Sequence, residues 1–258
     1  MEDTGGEGFY VTLPSNASKE LFKSNTSSCY TVDLAKPIEL SGDWMVGLCE
    51  FIYPRTWYNL AEHSSYFELN QTIDEPQPLI SVKFSKGGYY HRPKELLEQI
   101  VPAVKKYDPS FEASFNNVTK CIEVKGNGRY KMRTYPPLAY MLGLKVNEWW
   151  NLSGRSPPYP CDLNGGVYNL FVYTDIVQYQ PVGDSYSPLL CVVNVKGDFR
   201  DVVSLRYNTV HDLPVSKNYI KNIRIEIKTG CNKHVDFVFG KTIVKLHFKP
   251  VQRSLPLH

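Results

Sequence analysis

Apolar and polar residues alternate with a period of two over much of this chain. In "YIKNIRIEIK" (219–228), Tyr219, Ile223, Ile225 and Ile227 stand against Arg224, Glu226 and Lys228. In "KTIVKLHFK" (241–249), Thr242, Val244, Leu246 and Phe248 stand against Lys245, His247 and Lys249. "CYTVDL" (29–34) and "LISVKF" (79–84) each carry three apolar residues on one face, and "SPLLCVVNV" (187–195) is a continuous apolar run. Clusters of Pro, Gly, Asn and Asp separate these stretches. Many short strands with turn signals between them predict a β-sandwich or barrel.

Two stretches break the alternation. In "GDWMVGLCEFIYPRTWYNL" (42–60), Trp44, Val46, Leu48 and Ile52 point one way as a strand, and Met45, Cys49, Phe51 and Tyr53 the other. "VYNLFVYTDIV" (167–177) is also apolar on both faces, through residues such as Phe171 and Tyr173. A sheet face open to water alternates, so the second face of 43–53 and 167–177 needs a cover, either a neighbouring subunit or a helical unit inserted in the same chain. The first stretch ends in the aromatic turn Tyr53-Pro54-Arg55-Thr56-Trp57-Tyr58. Trp57 there is a plug over the core or an anchor in a partner, and the planar fork of Arg55 suits a carboxylate or carbonyl across a subunit boundary. Phe51, Tyr53, Arg55, Trp57, Tyr58, Phe171 and Tyr173 are therefore the candidate interface or rim residues.

The middle of the chain changes period. Leu96, Leu97, Ile100, Val101 and Val104 recur at helical spacing within residues 87–107, with Pro93 suited to the first turn. Pro102 is expected to break or kink this helix. "FEASF" and "KCIEVKG" predict a strand pair, Gly126-Asn127-Gly128 a hairpin turn, and "PPLAYMLGL" (136–144) a short helix ending at Gly143. The reading is mainly β: a single sandwich formed by residues 1–85 and 151–250, a small α+β unit inserted at 86–150, and a flexible tail at 251–258. The Gly-rich start and the proline-bearing end are both expected to be mobile.

Composition narrows function. A net charge of +3 is too mild for a dedicated nucleic-acid face, and no run of 18 apolar residues predicts a membrane span. The start lacks a signal-peptide pattern, so the five Asn-x-Ser/Thr sequons read as turn chemistry. The six cysteines are evenly spread without a Cys-x-x-Cys pair, which predicts free thiols, no disulfides and no zinc. No histidine spacing, phosphate loop or nucleophile elbow is present, so the chain reads as a non-enzyme without cofactor, metal or catalytic residues.

Four ordered segments then carry a resemblance: "FYVTLPSNAS" (9–18), "ELSGDWMVGLCEFIYPRTWYNL" (39–60), "VYNLFVYTDIVQYQPVGDSYSPLLCVV" (167–193) and "HDLPVSKNYIKNIRIEIKTGCNKHVDFVFGKTIVKLHF" (211–248). In order and spacing, nearly the whole chain resembles the minor capsid, or penton, protein of Polinton/Maverick transposons and adintoviruses. The resemblance implies a single jelly roll that forms homopentamers at icosahedral vertices, beside a double jelly-roll major capsid protein. It also implies a virion component made in the cytoplasm of a eukaryotic host, with assembly there or in the nucleus. A β-sandwich that binds carbohydrate or a receptor, retained by a host from an integrated element, stays open as the alternative, since the 18 tyrosines suit sugar stacking and protein interfaces equally.

Overall fold

The computed structural model describes residues 8–72, 78–154 and 156–251. The stretches expected as mobile tails lie almost wholly outside them; Pro250 itself closes the last ladder, opposite Trp44. The chain begins with β1 (Phe9–Pro14), β2 (Cys29–Glu39) and β3 (Trp44–Pro54). Next come β4 (Tyr66–Gln71), β5 (Ile80–Lys83), α1 (Pro93–Lys105), β6 (Glu112–Phe115), β7 (Ile122–Lys125), β8 (Tyr130–Arg133), α2 (Leu138–Leu142) and β9 (Trp149–Asn151). The rest is all strand: β10 (Asn169–Thr174), β11 (Gln180–Val182), β12 (Ser185–Ser187), β13 (Leu189–Asn194), β14 (Val202–Arg206), β15 (Leu213–Pro214), β16 (Tyr219–Thr229) and β17 (Ile243–Pro250).

Two compact units result. One takes the residues up to Trp57 and from Tyr168 on; the other is Tyr58–Val167. The sequence boundaries at 86 and 150 thus differ from the observed ones. The reason is pairing: β4 and β5, read as part of the sandwich, join β8 and β9 in the sheet β5-β4-β8-β9 of the second unit.

The first unit is built from two antiparallel sheets, β1-β17-β3-β14 with β15 also on β3, and β13-β10-β16-β2. Their apolar inner faces make its core, as a two-layer architecture requires. Thr242, Val244, Leu246 and Phe248 are all fully buried, as their alternation predicts. Tyr30 is buried among them and donates its hydroxyl to the Leu13 carbonyl at 3.1 Å, which satisfies a polar tip that water cannot reach.

β3 resolves the two-faced strand. Lys245 pairs with Glu50 and Leu246 with Leu48, so Cys49 is an extra residue, a β-bulge. A bulge inverts the parity of the residues beyond it. Val46 and Leu48 point inward before it, and Phe51 and Tyr53 point inward after it, all at 3% exposure or less. The strand has one buried set that changes parity, not two apolar faces. A similar irregularity between Ile220 and Asn222 in β16 turns Ile220 inward and leaves Tyr219 exposed, against the simple alternation.

In the second unit, α1 and α2 supply Leu96, Ile100, Val104, Leu138 and Met141 to a core shared with Phe67, Phe111 and Met132. Pro93 sits in the first turn and Gly143 closes α2 in the left-handed conformation, at φ 70°. Pro102 does not end α1, which runs on to Lys105. Both it and Glu98, whose carbonyl it leaves without a helical donor, lie on the exposed face. Gly126-Asn127-Gly128 is not a hairpin turn either: β7 pairs with β6, whereas β8 pairs with β4 and β9. Asn59 ties the beginning of this unit to its end. Its amide donates to the carbonyls of Tyr90 at 2.9 Å and Leu163 at 2.8 Å, and its oxygen accepts from the Tyr90 N–H.

Candidate functional site

Apart from Tyr58, the sequence-selected residues fall into two groups in the first unit. The first is the rim at the end of β3. Phe51 and Tyr53 have no exposed surface, with ring centroids 5.1 Å apart, so neither has area left to bury against a neighbour. The Tyr53 hydroxyl accepts from the Lys196 N–H at 2.8 Å, and burial raises its pKa. Trp57 is 7% exposed, edge-on to Phe237 at 5.7 Å and tilted to Tyr53 at 6.2 Å. That is the plug arrangement. Arg55 is also buried: its guanidinium donates to the Gly197 carbonyl and lies 5.9 Å from the Trp57 ring. Backbone bonds between Arg55 and the Arg200–Asp201 turn fix the same loop. Within this chain the guanidinium of Arg55 is thus closed over by its own neighbours. Tyr58 opens the second unit and is exposed.

The second group is a groove on the outer face of the sheet β13-β10-β16-β2. Inward residues of β10 are Leu170, Val172 and Thr174; Phe171 and Tyr173 therefore face out, half-buried. Opposite them on β16 stand Lys228 and Glu226. The β11–β12 hairpin forms the other wall with Tyr179 and Tyr186, both strongly exposed, and turns at Gly183, whose φ of 61° favours glycine. The groove encloses about 820 Å³. It answers the two-faced reading of 167–177, because the outer residues of β10 form its floor.

The charges on the groove floor are paired. Glu226 binds Arg224 and Lys228, each at 2.8 Å, and Lys228 also lies 5.2 Å from the Tyr173 ring. Burial alone would raise the Glu226 carboxyl, but its bonds to Lys228 and Arg224 outweigh this and hold it below the usual carboxylate range. At one end, Cys29, Glu226 and His234 bring a sulfur, an oxygen and a nitrogen within 4.8 Å of one another. Such a donor set suits a divalent metal such as zinc. Here the protein's own cations take the positions: Arg224 also donates to the Cys29 sulfur at 3.4 Å. Spacing could not reveal this cluster, since its members come from β2, β16 and the turn after it.

Sequence reasoning named the groove floor but missed its other wall. The signal was present in "QYQPVGDSYS", two tyrosine-bearing segments around a Gly-Asp turn. Among the described residues no helix is long and apolar enough to cross a membrane.

No family model and no curated protein matches the chain. Among solved structures, the crystal structure of the mavirus penton protein aligns with a TM-score of 0.55 at 11% identity, covering 95% of this chain and all of that one. At that identity the likeness is one of fold.

Proposed function

We propose that this chain is a penton-type minor capsid protein built on a single jelly roll. The observation that carries the reading is the fold likeness to a penton protein over 95% of this chain and all of that one. Strand order supports it independently. Numbering only the eight principal strands of the first unit along the chain (β1, β2, β3, β10, β13, β14, β16, β17), the two sheets run 1-8-3-6 and 5-4-7-2. Strands 1 and 8, 2 and 7, 3 and 6, and 4 and 5 are all neighbours. That is the pairing left when one long antiparallel ribbon is rolled into two facing sheets.

The protein acts by assembly. Five copies form a ring at an icosahedral vertex of a Polinton-type particle, beside a double jelly-roll major capsid protein. A cyclic ring joins two different patches of each subunit. The groove of Phe171, Tyr173, Tyr179 and Tyr186 is one such patch, because exposed tyrosines over paired charges are the composition of protein interfaces. A stable contact of this kind buries on the order of 1,200–2,000 Å².

The test is oligomeric mass across a concentration series, alone and with the major capsid protein of the same element. A pentamer is expected. A monomer under every condition would sink the proposal, and a monomer that binds glycans would favour a carbohydrate-binding sandwich.

A further inference from the structure

Two of the six cysteines belong to the second unit, and the fold brings their backbones together. Cys121 directly precedes β7; Cys161 lies in the loop after β9. The Cys161 N–H donates to the Lys120 carbonyl at 2.8 Å, and the Cys121 sulfur lies 3.6 Å from the Tyr159 carbonyl. A carbonyl oxygen sits about 2.8 Å from the next Cα, and an N–Cα bond is about 1.5 Å. Laid end to end, these steps cap the Cα–Cα distance at about 7 Å, and any bend brings it into the span of a disulfide. The loop cannot drift from this register. Tyr159 N–H donates to Gly143 at 3.1 Å and Asp162 N–H to Tyr140 at 3.0 Å. Burial, and then the neighbouring Cys121, push the Cys161 thiol up to about 11.

We propose that Cys121 and Cys161 are a disulfide-forming site, closed by thiol–disulfide exchange with a low-molecular-weight disulfide such as oxidised glutathione. The Cys121 thiolate, having given its proton to solvent, attacks one sulfur of the glutathione disulfide and expels glutathione thiolate. Cys161 then attacks the Cys121 sulfur of the mixed disulfide, which breaks the protein–glutathione bond and releases a second glutathione thiol. Two protein thiols lose two electrons in all, and one disulfide becomes two thiols. Cys161 attacks second because burial keeps little of it ionised, and only a partner already held beside it compensates for that. The bond staples the loop 156–166 to the β6–β7 hairpin. On the capsid reading, the site stays open in a reducing host compartment and closes once a particle is released; the chemistry itself does not depend on that reading.

The test uses the full chain, folded and reduced, exposed to oxidised glutathione and then alkylated. Expected are one proteolytic fragment joining Cys121 to Cys161, about 2 Da lighter than its two reduced parts together, and no glutathione on either cysteine. Neither Cys121→Ser nor Cys161→Ser forms the cross-link; Cys161→Ser keeps a glutathione adduct on Cys121, and Cys121→Ser leaves Cys161 largely unreacted. Cys231→Ser, in the other unit, closes like the parent. Separate glutathione adducts on both cysteines, no reaction at either, or a bond from either to another cysteine or another chain would overturn the proposal. A monomeric protein that closes the bond leaves this inference standing while the capsid reading fails.

Discussion

Leu48 and Phe51 both face the core of the sandwich although they stand three residues apart on one strand. The bulge at Cys49 makes this possible. Phe51→Ala should therefore lower folding stability by about 3–5 kcal/mol, as for other buried aromatics. Ile52→Ala, on the outer face, should cost about 1 kcal/mol or less. Urea denaturation of the two variants measures both; equal losses would mean that the parity change is wrong.

The rim gives a second contrast. Trp57→Ala should cost about 3–5 kcal/mol of stability, and Arg55→Ala about 1.5–3 kcal/mol, because the charged bond from the buried Arg55 to the Gly197 carbonyl is lost. Both variants should melt early and keep the parent's association constant. A Trp57→Ala protein that melts normally but dissociates would make Trp57 an interface anchor instead.

The groove should behave in the opposite way. Tyr173→Ala, and the double variant Tyr179→Ser with Tyr186→Ser, should weaken subunit association by roughly 2 kcal/mol or more. Their monomer stability should change little, since these rings are partly or largely exposed. Sedimentation equilibrium reads the first quantity and thermal melting the second. Unchanged association would remove this face from the assembly.

Acid should act through Glu226. Its folded carboxyl titrates below the ordinary value of 4.5, so the unfolded chain binds the proton more readily. Its contribution is complete above that ordinary value and is lost as pH falls through the lower, folded one. The stability gap between the parent and Glu226→Gln should thus be widest near neutrality and close at low pH. A gap that stays constant with pH would show that Arg224 and Lys228 do not stabilise the carboxylate.

Most strands were legible because their alternation is a local property. Thr242, Val244, Leu246 and Phe248 obey it without interruption. The failures cluster at bulges, where one extra residue at Cys49, or an irregularity beside Ile220, reverses every inference downstream. Nothing in the letters marks those positions, since register is decided by the partner strand. Partner choice was equally hidden: β4 reads like a sandwich strand, and only pairing with β8 assigns it elsewhere. The candidate residues were chosen for being large and aromatic. That criterion cannot separate Phe51, which fills the core, from Tyr173, which lines a groove, without knowing which face each one takes.

Asn59 has one more implication, and it concerns descent. Its amide holds Tyr90 and Leu163, so the beginning of the Tyr58–Val167 unit and the stretch just before its end are knotted by a single side chain. A segment whose two ends are fastened together behaves, toward the strands on either side, as one long turn. A lineage can enlarge it, trade it for another or trim it away while β3 and β10 keep their partners. Diversification of this unit then proceeds by cassette, at a junction two residues beyond Trp57, and the scaffold carries its history only in the strands.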